Sequence, residues 1–179
     1  MVALKRKITA YEIALSAVAA ALATIFLSIG TLSSVMLFTG YLLASLCLCL
    51  PLARQSYVGF FFAYVTCCLL TLLFGGFAFL FRLLPFIVFF GLHPLFNEIQ
   101  LAKKINKIVA FIIKALWFDG ALILTWWLLF NKTLGIAFVD EYFIPLAFIV
   151  GTLLFFLYDM MHFECRKQVD KVLLKLFKK

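Results

Sequence analysis

The sequence predicts an all-α integral membrane protein: a six-transmembrane-helix bundle with both termini cytoplasmic and a C-terminal amphipathic surface helix. Three observations carry this. First, 66% of the 179 residues are hydrophobic and 13% are charged, against about half and about a quarter in an ordinary soluble domain. A soluble domain of this length would bury only about 70% of its surface and leave a large apolar area in water. Second, the apolar residues come in six stretches of about 20, the length a helix needs to cross roughly 30 Å of hydrocarbon. Third, the basic residues collect on one side of those stretches. A mean hydropathy of +1.16 and 23 Phe exclude a disordered or collagen-like chain.

The first span runs from about Ala10 to Ile29 after the basic cluster Lys5, Arg6, Lys7. Thr9 and Glu12 have capping-box spacing, which marks its start. Its apolar stretch is too long for a signal peptide and more membrane follows, so it is expected to stay in the mature protein. The second span covers about Ser34 to Leu52, with Pro51 near its end, and the third Tyr57 to Phe74, closed by Gly75 and Gly76. The fourth runs from Phe77 to about His93, where Pro94 makes continuation costly, and holds Arg82 and Pro85. Residues 97–107 read as a polar connector. The fifth span, Ile108 to Phe130, carries Lys114 and Asp119; the sixth, Ile144 to Phe163, carries Asp159. Residues 1–165 thus form the transmembrane domain, and 166–179 a basic cytoplasmic tail. In that tail Val169, Val172, Leu173, Leu176 and Phe177 fall on one helical face among six basic residues, the pattern of a helix lying on acidic headgroups.

Counting Lys and Arg by loop puts 13 of 16 on one face and only Lys132 on the other, with Arg82 and Lys114 inside spans. The basic face is the cytoplasmic one. The net charge of +8 therefore belongs to membrane topology and not to a nucleic-acid surface, which would need a basic stripe on one domain face. Cys47, Cys49, Cys67, Cys68 and Cys165 contain no CxxC pair and four lie in apolar runs, as buried thiols do.

Enzyme chemistry finds little support. The chain lacks a G-x-x-x-x-G-K-[ST] loop, an H-E-x-x-H pair and a G-x-S-x-G turn. His162-Phe163-Glu164 has no second ligand cluster, so no metal or cofactor is expected. His162 and His93 read as polar helix ends at the inner interface. The charges inside spans are more informative, because each costs about 2.5 to 3.5 kcal/mol near a helix centre and is kept when paired or facing a cavity. By depth, Lys114 meets Asp159 in the inner leaflet, and Asp119 faces Arg82 from below or Lys114 from above. An internal ion pair is the favoured reading for Lys114 and Asp159; for Arg82 and Asp119 a ligand role stands level with it.

The first span also presents small residues: Ser16 with Ala20, and Ala17 with Ala21, are small-xxx-small pairs that let another helix approach closely. Six spans with both ends inside, a basic cluster ahead of an Ala-x-x-x-Ala first helix, a length near 180 and the missing ATPase motif resemble the S components of energy-coupling-factor (ECF) vitamin transporters. The resemblance is architectural and covers nearly the whole chain. It implies a non-enzymatic subunit in the cytoplasmic membrane of a prokaryote that captures a vitamin-like solute from outside. A transmembrane T subunit would dock on Ala17, Ala21, Ser16 and Ala20, and two ATPase subunits would drive release inward. The family's ligand region, in the outer half, maps onto Arg82, Asp119, Trp126, Trp127, Asn131 and Tyr142, with Lys132, Asp140 and Glu141 nearby. For Trp126, Trp127 and Tyr142, each taken separately, an interfacial aromatic belt is the favoured reading over a ligand role. A membrane scaffold similar to the rod-shape protein D, or a small ion-coupled carrier using Asp119 or Asp159, remain the alternatives.

Overall fold

The computed structural model describes residues 9–33, 35–129 and 137–176, apart from the side chains of residues 78, 129, 137, 140, 170 and 173–176, and these are all-helical, with no strand among the described residues. Helix α1 (Ala10–Leu32) begins at the expected capping box: the Glu12 amide donates to Thr9 Oγ1 at 3.2 Å and the Thr9 amide to Glu12 Oε2 at 2.9 Å. Helix α2 (Leu37–Cys47) and the short α3 (Cys49–Leu52) follow, then α4 (Tyr57–Gly75). A 3₁₀ turn (Phe77–Phe79) leads into α5 (Leu80–Pro85), a π-helical turn (Phe86–Phe90) and α6 (His93–Ala102). Helix α7 (Lys107–Leu129) precedes the short α8 (Ala137–Glu141) and α9 (Phe143–Leu146), and a second π-helical turn (Ala147–Gly151) joins α9 to α10 (Thr152–Leu176).

Among the described residues, five helical stretches are long and apolar enough to cross a membrane: Ala10–Leu32, Tyr57–Gly75, Leu80–Ala102, Lys107–Leu128 and Phe143–Val169. The chain is thus a helical bundle of multi-pass membrane type. The second expected span is the shorter apolar stretch Leu37–Leu52, which at about 1.5 Å per residue measures roughly 24 Å.

Proline accounts for most departures from the expected elements. Both π-helical turns sit just after a proline inside a helix, Pro85 and Pro145. At Pro85 the ring removes a backbone donor and crowds a carbonyl one turn back, which opens the next turn; Pro145 stands in the first turn of α9, where no carbonyl of its own helix lies one turn back. Pro94 does the opposite of what was expected. The helix breaks at Gly91 and Leu92 and restarts at His93, so Pro94 stands in the first turn of α6, where its missing N–H has no partner to lose. Residues 97–102 are therefore helical and partly buried, not a polar connector. The start of the tail is helical: with no Gly or Pro to stop it, α10 runs unbroken from Thr152 to Leu176, so residues 166–176 continue the helix of the last span.

Lipid offers no hydrophobic drive for helix association, so close packing of small residues carries much of it. Helix α1 packs on α2 and α4 through Ser16, Ala19, Ala20, Ala23 and Gly30, all buried. A Cβ added to Gly40 would stand 2.8 Å from both the Gly30 Cα and the Phe26 carbonyl oxygen, so α1 and α2 touch backbone to backbone there. The centre of the bundle is aromatic. Phe89 lies within 5.0–6.1 Å, ring centre to ring centre, of Trp117, Phe118, Phe155 and Tyr158. Gly76, with φ +72°, ends α4 in a conformation that glycine alone takes without strain.

Candidate functional site

Four elements bring polar side chains to one place in the bundle. Lys114, on α7, donates from Nζ to both oxygens of Asp159 on α10, at 2.7 and 2.9 Å, and to Asn97 Oδ1 on α6 at 2.8 Å. The pairing of Lys114 with Asp159 expected from their depths is present. His93, at the start of α6, places Nε2 3.0 Å from Asp159 Oδ1. Facing a carboxylate, that nitrogen is the donor. His162 stacks edgewise on His93, with ring centres 5.1 Å apart, and reaches Ser45 Oγ on α2 through Nε2 at 3.0 Å. Ser45 gives its own proton to the Leu42 carbonyl at 2.8 Å. Its oxygen therefore accepts from both His162 and the Tyr158 hydroxyl, the latter at 3.3 Å.

The network is charge-matched and buried. Lys114 is 3% exposed, Asp159 8%, His93 0% and His162 1%. One cation and one carboxylate share short hydrogen bonds, the geometry in which a buried pair offsets its desolvation. The two histidines are not polar helix ends at the interface, as expected, but core residues. His93 packs against Tyr158 of α10, and His162 lies one turn along α10 from Tyr158 on the same buried face. His93 Nδ1 and Asn97 Nδ2 are buried without a hydrogen-bond partner. A small cavity of about 10 Å³ opens beside Asn97, His162 and Cys49, about the space one water occupies. Below it Arg166 Nη2 donates to Glu98 Oε2 at 3.0 Å and to the Leu52 carbonyl at 3.2 Å. Cys49 Sγ is 3.8 Å from His162 Nδ1, but both are sealed from solvent, so the contact is packing and not an exposed nucleophile. Among the described residues no cluster of three or more His, Cys, Asp or Glu has the arrangement of a metal site.

The residues expected to bind a ligand are dispersed. Arg82, half-buried on α5, donates from Nη1 to the Thr31 carbonyl at the end of α1, at 2.8 Å, while its own carbonyl accepts from the Tyr41 hydroxyl. Asp119, on α7, pairs with neither Arg82 nor Lys114 among the described residues. Its Oδ2 accepts from Thr152 Oγ1 at 2.9 Å, because α10 places a hydroxyl opposite it where no cation reaches. Trp126 is buried and stacks on Phe143 with ring centres 4.4 Å apart; its indole Nε1 has no partner. Trp127 and Tyr142 are exposed, the latter against Phe138 at 5.2 Å. Asn131 and Lys132 lie outside the described residues, as does the Asp140 side chain.

The small-residue face of α1 is divided. Ser16 and Ala20 are buried, whereas Ala17 and Ala21 are exposed. Ser16 meets Gly59 of α4 so closely that a Cβ on Gly59 would collide with the Ser16 hydroxyl. Next to this crossing a groove of about 400 Å³ runs along Ile13, Ser16, Ala17, Ala20, Gly59 and Phe62. Ser45, Asn97, Tyr158 and Thr152 were not anticipated as site residues; each is an uncharged polar group in an apolar run, a weak signal by itself. No family model matches the chain, and neither a curated protein nor a solved structure is significantly similar to it.

Proposed function

We propose that this chain is the substrate-capturing membrane subunit of an ATP-driven micronutrient importer of the ECF kind. In this reading it crosses the cytoplasmic membrane of a prokaryote six times with both termini in the cytoplasm. The stretch Leu37–Leu52 makes the short sixth crossing, which a bilayer accommodates by local thinning. The observation that carries the reading is the divided face of α1: Ser16 and Ala20 are used inside the bundle, while Ala17 and Ala21 stay outward, and Ala17 lines an open groove. An outward alanine pair lets a second transmembrane helix come close, and here it would seat the T subunit, with two ATPase subunits bound to that partner. The captured solute is a flat heterocycle held near the Trp126–Phe143 stack, whose unpaired indole N–H offers one directional donor. Thermal unfolding in detergent against a panel of water-soluble vitamins tests this: one compound raises the melting temperature. A panel without effect counts against solute capture.

A second reading, a small ion-coupled carrier, is favoured by the buried Lys114–Asp159–His93 network, since ionisable groups held inside a membrane commonly mark ion pathways. Such a carrier would transport alone in vesicles, without added ATPase subunits.

A further inference from the structure

Asp119 stands near the middle of α7, and is 1% exposed. Its surroundings offer one hydrogen bond, from the Thr152 hydroxyl to Oδ2 at 2.9 Å. The other oxygen, Oδ1, is buried without a partner and lies over Gly151, where an added Cβ would stand 2.8 Å from it. The charged groups on the elements packed around it are engaged elsewhere. Lys114, on the same helix, is held by Asp159 and Asn97; Arg82, on α5, donates to the Thr31 carbonyl; Asp159 and His93 pair with each other. The π-helical turn against it, Ala147–Gly151, contains no charged residue.

Among the described residues, an ionised carboxylate in this position would keep one hydrogen bond and no counter-charge inside hydrocarbon, and a buried group so placed neutralises instead. A metal cation is the poorer occupant. Monovalent and divalent ions take several oxygen ligands, as calcium takes six or more, and the described side chains here supply one free carboxylate oxygen and one hydroxyl. We propose that Asp119 and Thr152 form a proton-binding site: Asp119 carries a proton while α7 and α10 are packed together, and releases it when that interface opens. The wide turn ending at Gly151 is where the last helix departs from regular geometry, which is where such a shift costs least.

The proposal rests on α7 lying in the membrane and not on the importer role. Its test is infrared spectroscopy of the protein in lipid at neutral pH. The wild type shows the carbonyl band of a neutral carboxylic acid; Asp119→Asn removes it and Asp119→Glu moves it. Absence of that band from the wild type overturns the proposal. A melting temperature that rises in sodium relative to choline, with the rise lost in Asp119→Asn, also overturns it, in favour of a metal cation. Gly120 is exposed with open space around it, so a Gly120→Cys thiol reports the medium. If it resists a membrane-impermeant maleimide while the band is absent, the proton site alone fails. If it reacts freely, the membrane placement of α7 fails and the proton site with it.

Discussion

Lys114 and Asp159 form a two-pronged ion pair across α7 and α10, with Nζ 2.7 and 2.9 Å from the two carboxylate oxygens, and every other buried polar side chain of the site is arranged around it. Removing one partner leaves a buried charge unpaired. Lys114→Ala is therefore expected to cost about 3 to 5 kcal/mol, as broken buried pairs do, while replacing both partners by apolar residues of similar volume recovers most of the loss. Melting temperatures of Lys114→Met, of Asp159→Leu and of the two combined check this as a double-mutant cycle; an additive result would show that the pair is not coupled.

The Lys114–Asp159 pairing was legible in the sequence because both depth and sign were: two opposite charges in consecutive long spans at matching distance from the basic side. The capping box at Thr9 and Glu12 was legible because it is local. Contacts across helices that depend on helix rotation, and not on depth and sign, were not. Asp119 meets Thr152 and not Arg82 because helix rotation, which hydropathy does not encode, puts a hydroxyl opposite it. His93 and His162 looked like polar ends, yet both lie in the core beside Tyr158. Pro94 was read as ending the fourth span, but a proline after an apolar run opens a helix as readily as it ends one, and here it stands in the first turn of α6.

The backbone contact between α1 and α2 separates two glycines that look alike in sequence. Gly40→Ala would press its methyl group against the Gly30 Cα and the Phe26 carbonyl, which cannot rotate away, and overpacking of this kind costs about 1 to 3 kcal/mol. Gly120→Ala meets nothing within 4 Å and is expected to be neutral. Thermal unfolding of the two variants side by side checks the contrast, and equal effects would contradict the close crossing.

Arg82 contributes one side-chain hydrogen bond, to the Thr31 carbonyl, and the net worth of such a bond from a charged donor is about 1.5 to 3 kcal/mol. Arg82→Gln should therefore fold, with a loss of stability no larger than this. Under the importer reading it loses the thermal shift that the captured vitamin produces in the wild type. A variant that folds and keeps the full shift would remove Arg82 from the ligand region.

The exposed pair Ala17 and Ala21 is the point at which the proposed role meets the outside of the molecule. Ala17→Trp fills that face without entering the core, so the isolated subunit should bind its solute as before.

The most direct measurement is co-purification of the tagged chain from its own membranes in mild detergent, wild type beside Ala17→Trp, with the retained proteins identified and tested for ATP hydrolysis. The account predicts that the wild type retains a second membrane protein and a pair of ATPase subunits, and that Ala17→Trp retains neither. A wild-type chain that purifies without any ATPase, or an assembly that the tryptophan leaves intact, would contradict it.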